Sequence, residues 1–116
     1  MLTTHHVVAF AVLVVTWGAG LSGLWAYRRG RAGVTLGHLL ALAQTVLVAQ
    51  VGLGLLLLSD GRRAPDKLHY AYGTFALLAV LAPWLYAPAE PRRRLLWFSG
   101  ATLVAGALAV RAYMTA

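Results

Sequence analysis

The sequence predicts an all-α protein, a four-transmembrane-helix antiparallel up-down bundle. Three observations point there. Of 116 residues, 60% are hydrophobic and only 11% are charged, whereas a soluble domain carries about a quarter charged residues. Four apolar stretches have the length of roughly 20 residues that crosses about 30 Å of hydrocarbon as helix. Short loops join them, so helices adjacent in sequence run antiparallel. The chain, residues 1–116, reads as a single integral membrane domain.

The first span is expected over about 7–27, opening on Thr3-Thr4-His5-His6, with Thr3 or Thr4 as its cap. Ala19 and Gly23 form a small-x-x-x-small pair, a spacing that lets helix backbones approach closely in lipid. Trp17 lies deep in this span and is expected to face the bundle interior. The run ends at Arg28-Arg29, not at a small-residue cleavage site, so it reads as a span and not as a signal peptide. The second span is expected over about 34–58, with His38 in its first turns and Gln44 and Gln50 deeper. Asp60-Gly61 signals a turn, and Pro65 holds off the next helix.

The third span, about 68–86, starts at Asp66-Lys67-Leu68-His69-Tyr70-Ala71-Tyr72-Gly73. It turns from polar to apolar within two residues and carries a histidine in its first turn. Pro83 is expected to kink or end it. After Glu90-Pro91 and Arg92-Arg93-Arg94 the fourth span is expected over about 95–113. There Ala101, Ala105 and Ala109 recur every four residues and make a smooth packing stripe.

Loop charge sets orientation. The first and third loops carry Arg28, Arg29, Arg31, Arg92, Arg93 and Arg94, and the other side carries Arg62, Arg63, Lys67 and Arg111. Basic loops stay cytoplasmic, so both termini are expected outside the cytoplasm. Trp25, Tyr27, Trp84, Tyr86 and Trp97 then mark the cytoplasmic interface, and Tyr70, Tyr72 and Tyr113 the outer one. The formal charge of +7 belongs to these loops, where it sets topology and meets anionic head groups. Nucleic acid is not an expected partner; the bilayer is.

The chain has no cysteine, which excludes disulfides and thiolate chemistry. Its only acids, Asp60, Asp66 and Glu90, lie in loops. No nucleophile–base pair, phosphate loop or carboxylate pair is present, so independent catalytic activity is not expected.

Histidines carry the remaining chemistry. In an up-down bundle the first and third helices run parallel and start at one side, so His5 or His6 lies level with His69. These helices are diagonal partners, and two imidazoles facing across the core suit the axial positions of a haem iron. His5 and His6 point about 100° apart on a helix, so one of them faces the core. The bland alternative is that these histidines sit at head-group depth as interfacial, hydrogen-bonding groups. Gly73, one turn from His69, and Ala9, one turn from His5, leave room for a flat ring. Arg111, with Arg62, Arg63 and Lys67, supplies cations for propionates, and Trp17 and Phe10 are candidate ring-plane contacts. His38, Gln44 and Gln50 form a second candidate, a polar pocket for a quinone. Gln44 and Gln50 are about 600° apart on the helix, which favours interhelical hydrogen bonding instead.

The run Leu42-Ala43-Gln44-Thr45-Val46-Leu47-Val48-Ala49-Gln50-Val51-Gly52-Leu53-Gly54, a short loop, and then Leu68-His69-Tyr70-Ala71 resembles one four-helix half of the haem A synthase family. The same outline occurs in small b-type cytochrome membrane subunits. The resemblance implies a haem held by His69 and by His5 or His6. Val7 follows the first histidines where the family has arginine, no acid lies upstream, and one half alone is present. These departures argue against hydroxylation of haem and leave two expectations, binding of haem b or a bundle kept without the haem. The expected function is haem-b binding or handling linked to a respiratory chain. The alternative is a cofactor-free accessory subunit that docks on other membrane subunits or on a second copy through its small-residue stripes.

Overall fold

A computed structural model of the protein describes residues 2–30, 33–61, 63 and 66–115. It contains four helices, α1 (Leu2–Arg29), α2 (Val34–Ser59), α3 (Leu68–Tyr86) and α4 (Pro91–Met114), and each is long and apolar enough to cross a membrane. The shortest, with 19 residues, extends for about 28 Å at 1.5 Å per residue. The protein is a membrane-embedded helical bundle.

The helix ends show where hydropathy and helix formation differ. α1 is already helical at Leu2, so Thr3 and Thr4 lie inside it and do not cap it. α4 starts at Pro91, four residues before the apolar run. Proline at the first helical position costs no hydrogen bond, and the Glu90 carboxylate accepts from the backbone N–H of Arg92 at 3.0 Å and Arg93 at 2.9 Å. The three arginines therefore stand in the first turn and not in the loop. Pro83 does not end α3, which runs on to Tyr86 with Pro83 buried inside it. α3 begins where Asp66 accepts the Leu68 N–H at 2.9 Å, a local aspartate turn. Gly30 (φ +72°) and Gly61 (φ +81°) leave α1 and α2 in the left-handed region, where side chains are disfavoured. Pro65, Arg31 and Arg62 lie outside the described residues.

The Glu90 cap has a pH signature. The two backbone N–H bonds, chiefly that from Arg93, hold its carboxyl below the usual glutamate range. A depressed acid stabilises the fold fully above its unfolded-state value and loses that stabilisation as pH falls through the folded one. The thermal midpoint of wild type should thus exceed that of Glu90→Ala at neutral pH, and the gap should close on acidification below about pH 4. Melting curves of both proteins across that range check it.

In cross-section the helices follow chain order. α4 packs closely on α1 and α3, and α2 packs on α1, but α2 and α3 barely meet. α1 and α3 are diagonal. Small residues close the α1–α4 seam: Ala19 and Ala105 are fully buried, Gly20 faces Leu103, and Gly23 faces Ser99. The core is otherwise aliphatic, with Val12, Leu47, Ala76 and Val80 at its centre. Trp17 corrects the expectation of an interior residue. It remains 37% exposed and lies with its indole edge beside Gly106, because the tight α1–α4 seam leaves no volume for an indole. The loose α2–α3 edge opens the bundle where the candidate site lies.

Candidate functional site

α1 and α3 bring their first turns to one end of the bundle. The His5 and His69 rings stand 6.2 Å apart between centroids and 79° apart in plane. Both line a cavity of about 610 Å³ that also includes His6, Ala9, Gln50, Arg63 and Gly73, a volume typical of small-molecule pockets. Its floor is apolar, formed by Val12, Leu47, Ala76 and Ala109.

The choice between His5 and His6 is visible in their burial. His5 is 8% exposed, whereas His6 is exposed and its ring centre lies 6.4 Å from that of His5. The rotation of about 100° between adjacent helical residues turns His6 away when His5 faces inward.

His69 is oriented from behind. Its Nδ1 lies 2.7 Å from the carbonyl oxygen of Ala112 on α4. A carbonyl can only accept, so Nδ1 carries the proton and, in the neutral ring, Nε2 keeps its lone pair. This is the arrangement that fixes the tautomer of metal-binding histidines. His5 is placed by its backbone: Gln50 on α2 donates through Nε2 to the His5 carbonyl at 2.9 Å. Gly54, one turn further, packs beside the His5 ring: a Cβ there would lie 3.5 Å from His5 Cε1, an ordinary van der Waals contact.

Two polar atoms in this wall, His5 Nδ1 and Gln50 Oε1, are buried without a hydrogen-bond partner among the described residues. Each such group costs about 1–3 kcal/mol. No set of three potential metal-binding side chains occurs among the described residues, which is too few for a closed structural metal site. Two histidines suffice for haem, whose macrocycle occupies the other positions on the iron.

Other predicted site residues fall elsewhere. Gly73 and Ala9 do line the cavity. Arg111 does not: it points to Tyr72, with Nη2 3.5 Å from the phenol oxygen and its guanidinium 5.5 Å above the ring. Arg63 lines the cavity instead, and it also donates to the Leu58 carbonyl at 3.0 Å. Arg62 lies outside the described residues. Phe10 is 64% exposed, and neither it nor Trp17 lines the cavity.

The structure does not assemble His38, Gln44 and Gln50 into one pocket. His38 is exposed; Gln44 accepts from the Trp84 indole N–H at 2.9 Å; Gln50 belongs to the His5 wall. Six helical residues turn the two amides to different faces, so each bridges a different helix. Sequence reading missed the service of Gln50 and Gly54 to His5, although their four-residue spacing already placed them on one face of α2. The Ala112 carbonyl leaves no trace in side-chain chemistry.

Replacement of Gln50 by leucine should leave the helix content unchanged and loosen His5. The expected result is weaker retention of any ligand held by His5, by about tenfold, as for other supports of metal ligands. Titration of purified wild-type and variant protein checks it. Comparison with protein-family models, with curated proteins and with solved structures yields no match for this chain.

Proposed function

We propose that this protein binds haem b between His5 and His69 and serves a membrane-bound respiratory chain, with both termini outside the cytoplasm. One observation carries the proposal: histidines from the diagonal helices α1 and α3 line one largely apolar cavity, and the Nδ1 of one of them is held by the Ala112 carbonyl, which leaves its Nε2 lone pair for a metal.

The surroundings support the same ligand. The cavity is apolar over most of its wall, with Gly73 and Ala9 leaving space beside the histidines. Nothing lies within 4 Å of a Cβ built on Gly73. Arg63 at the cavity offers a cation to anionic substituents. When bound, haem b supplies one-electron redox chemistry at its iron. The chain's own contributions are ligation by two imidazoles, a fixed tautomer at His69 and exclusion of water by aliphatic neighbours. A low-dielectric, apolar shell is one of the means by which proteins set redox potential. The resemblance of the α2–α3 region to half of haem A synthase agrees with a haem ligand at His69.

The test is an absorption spectrum of detergent-purified protein made in haem-replete cells. A Soret band in wild type, with about one haem per chain by pyridine haemochrome assay, is expected. Colourless protein that also fails to take up added haemin would overturn the proposal and leave the cofactor-free accessory subunit.

A further inference from the structure

A second cavity, of about 370 Å³, opens at the opposite end of the same loose edge, between the start of α2 and the α3–α4 pair. Its walls are Gly37, Leu40 and Ala41 from α2, Trp84 from α3, and Leu95 and Phe98 from α4. Arg94 and Gln44 are its polar groups. We propose that this groove seats one anionic phospholipid, with its phosphate on Arg94 and an acyl chain along the apolar wall.

Charge and shape both favour that occupant. The Arg94 guanidinium is held against two rings, 5.6 Å from Trp84 and 5.1 Å from Phe98. Those rings are themselves locked edge to face at 5.1 Å. Aromatic stacking fixes the planar group but uses none of its N–H donors in hydrogen bonds. The only carboxylate of this end, Glu90, is committed to the backbone of Arg92 and Arg93. Arg28, Arg29, Arg92 and Arg93 stand at the same end of the bundle, at the end of α1 and the start of α4, and do not line the groove. A phosphodiester fits a guanidinium in a bidentate manner, and basic pockets between membrane helices at their ends suit lipid head groups.

Gln44 adds a second donor. The Trp84 indole N–H can only donate, so it faces the amide oxygen and leaves the Gln44 NH₂ for a head-group or ester oxygen. Below these polar groups the walls become aliphatic. At Gly37 a Cβ would meet nothing within 4 Å, which marks open space in the groove.

The experiment is native mass spectrometry and thermal melting of the full chain in neutral detergent, with phosphatidylglycerol or phosphatidylcholine added. Wild type should retain phosphatidylglycerol preferentially and melt higher with it. Arg94→Gln should weaken that retention about five- to tenfold, the worth of one arginine–phosphate contact. Gly37→Leu should weaken it as much by filling the groove with the cation intact. Arg29→Gln, at the same end but outside the groove, should change it little. Equal retention of both lipids by wild type would overturn the proposal, as would an equal loss in Arg29→Gln, which signals diffuse surface charge. Equal competition by millimolar inorganic phosphate would overturn the lipid as occupant. If Arg94→Gln fails to fold, wild-type retention in Gly37→Leu overturns the groove by itself.

Discussion

Alanine in place of His69 is expected to strip haem from the purified protein, with retention falling by at least about tenfold. His5→Ala should do the same, because both rings line the one cavity. His38→Ala should keep the wild-type Soret band, since His38 is exposed and lies outside the cavity. The three variants differ by one imidazole each, so a nonspecific loss of colour is separated from loss of a ligand. Folding is not the hidden variable. The His69 side chain contributes one described hydrogen bond, to Ala112, worth about 1 kcal/mol net, and it is half-buried at the end of the bundle. Circular dichroism of His69→Ala should therefore show unchanged helix content. A His69→Ala protein with a wild-type Soret band would place the pigment elsewhere.

The second large effect concerns the seam that holds α1 against α4. Gly23→Leu is expected to destabilise the bundle by about 1–3 kcal/mol or more, the cost of overpacking a close contact. A Cβ at position 23 would collide with the Ser99 side chain, which sits on the facing helix and is itself completely buried. The clash involves the Ser99 Cβ as well as its hydroxyl, so turning the serine side chain alone does not relieve it. Gly18→Leu is the matched control. It adds the same atoms to the same helix, but a Cβ there meets nothing within 4 Å. Its effect should stay within about 0.5 kcal/mol, as for surface substitutions. Denaturation of purified wild-type and variant proteins in mixed micelles measures both. Similar stability of the two variants would mean that α1 and α4 are not in close contact at Gly23.

How far the fold was legible depends on the physics at each place. Four spans were readable because every backbone polar group in hydrocarbon must be satisfied within its own helix, and this forces long apolar runs. The start of α3 at Leu68 was readable from Asp66 and the change in polarity. The ends of α1 and α4 were not, since hydropathy measures what lies in hydrocarbon and not how far the helix continues. Pro83 left open a kink or an end; α3 continues past it to Tyr86, the expected end of the span, and buries it.

The histidines divide in the same manner. The sequence alone placed His69 and the His5–His6 pair at one end of parallel helices, because an alternating topology makes depth a matter of counting residues. It also separated Gln44 from Gln50 by rotation about the helix axis. Only the tertiary structure decided that His5 turns inward, that Ala112 fixes the His69 tautomer, that Arg63 and not Arg111 lines the cavity, and that α2 stands away from α3. Those outcomes depend on the rotation and tilt of each helix. In lipid these are set by which small residues let two backbones meet, a pairwise property that no single segment contains.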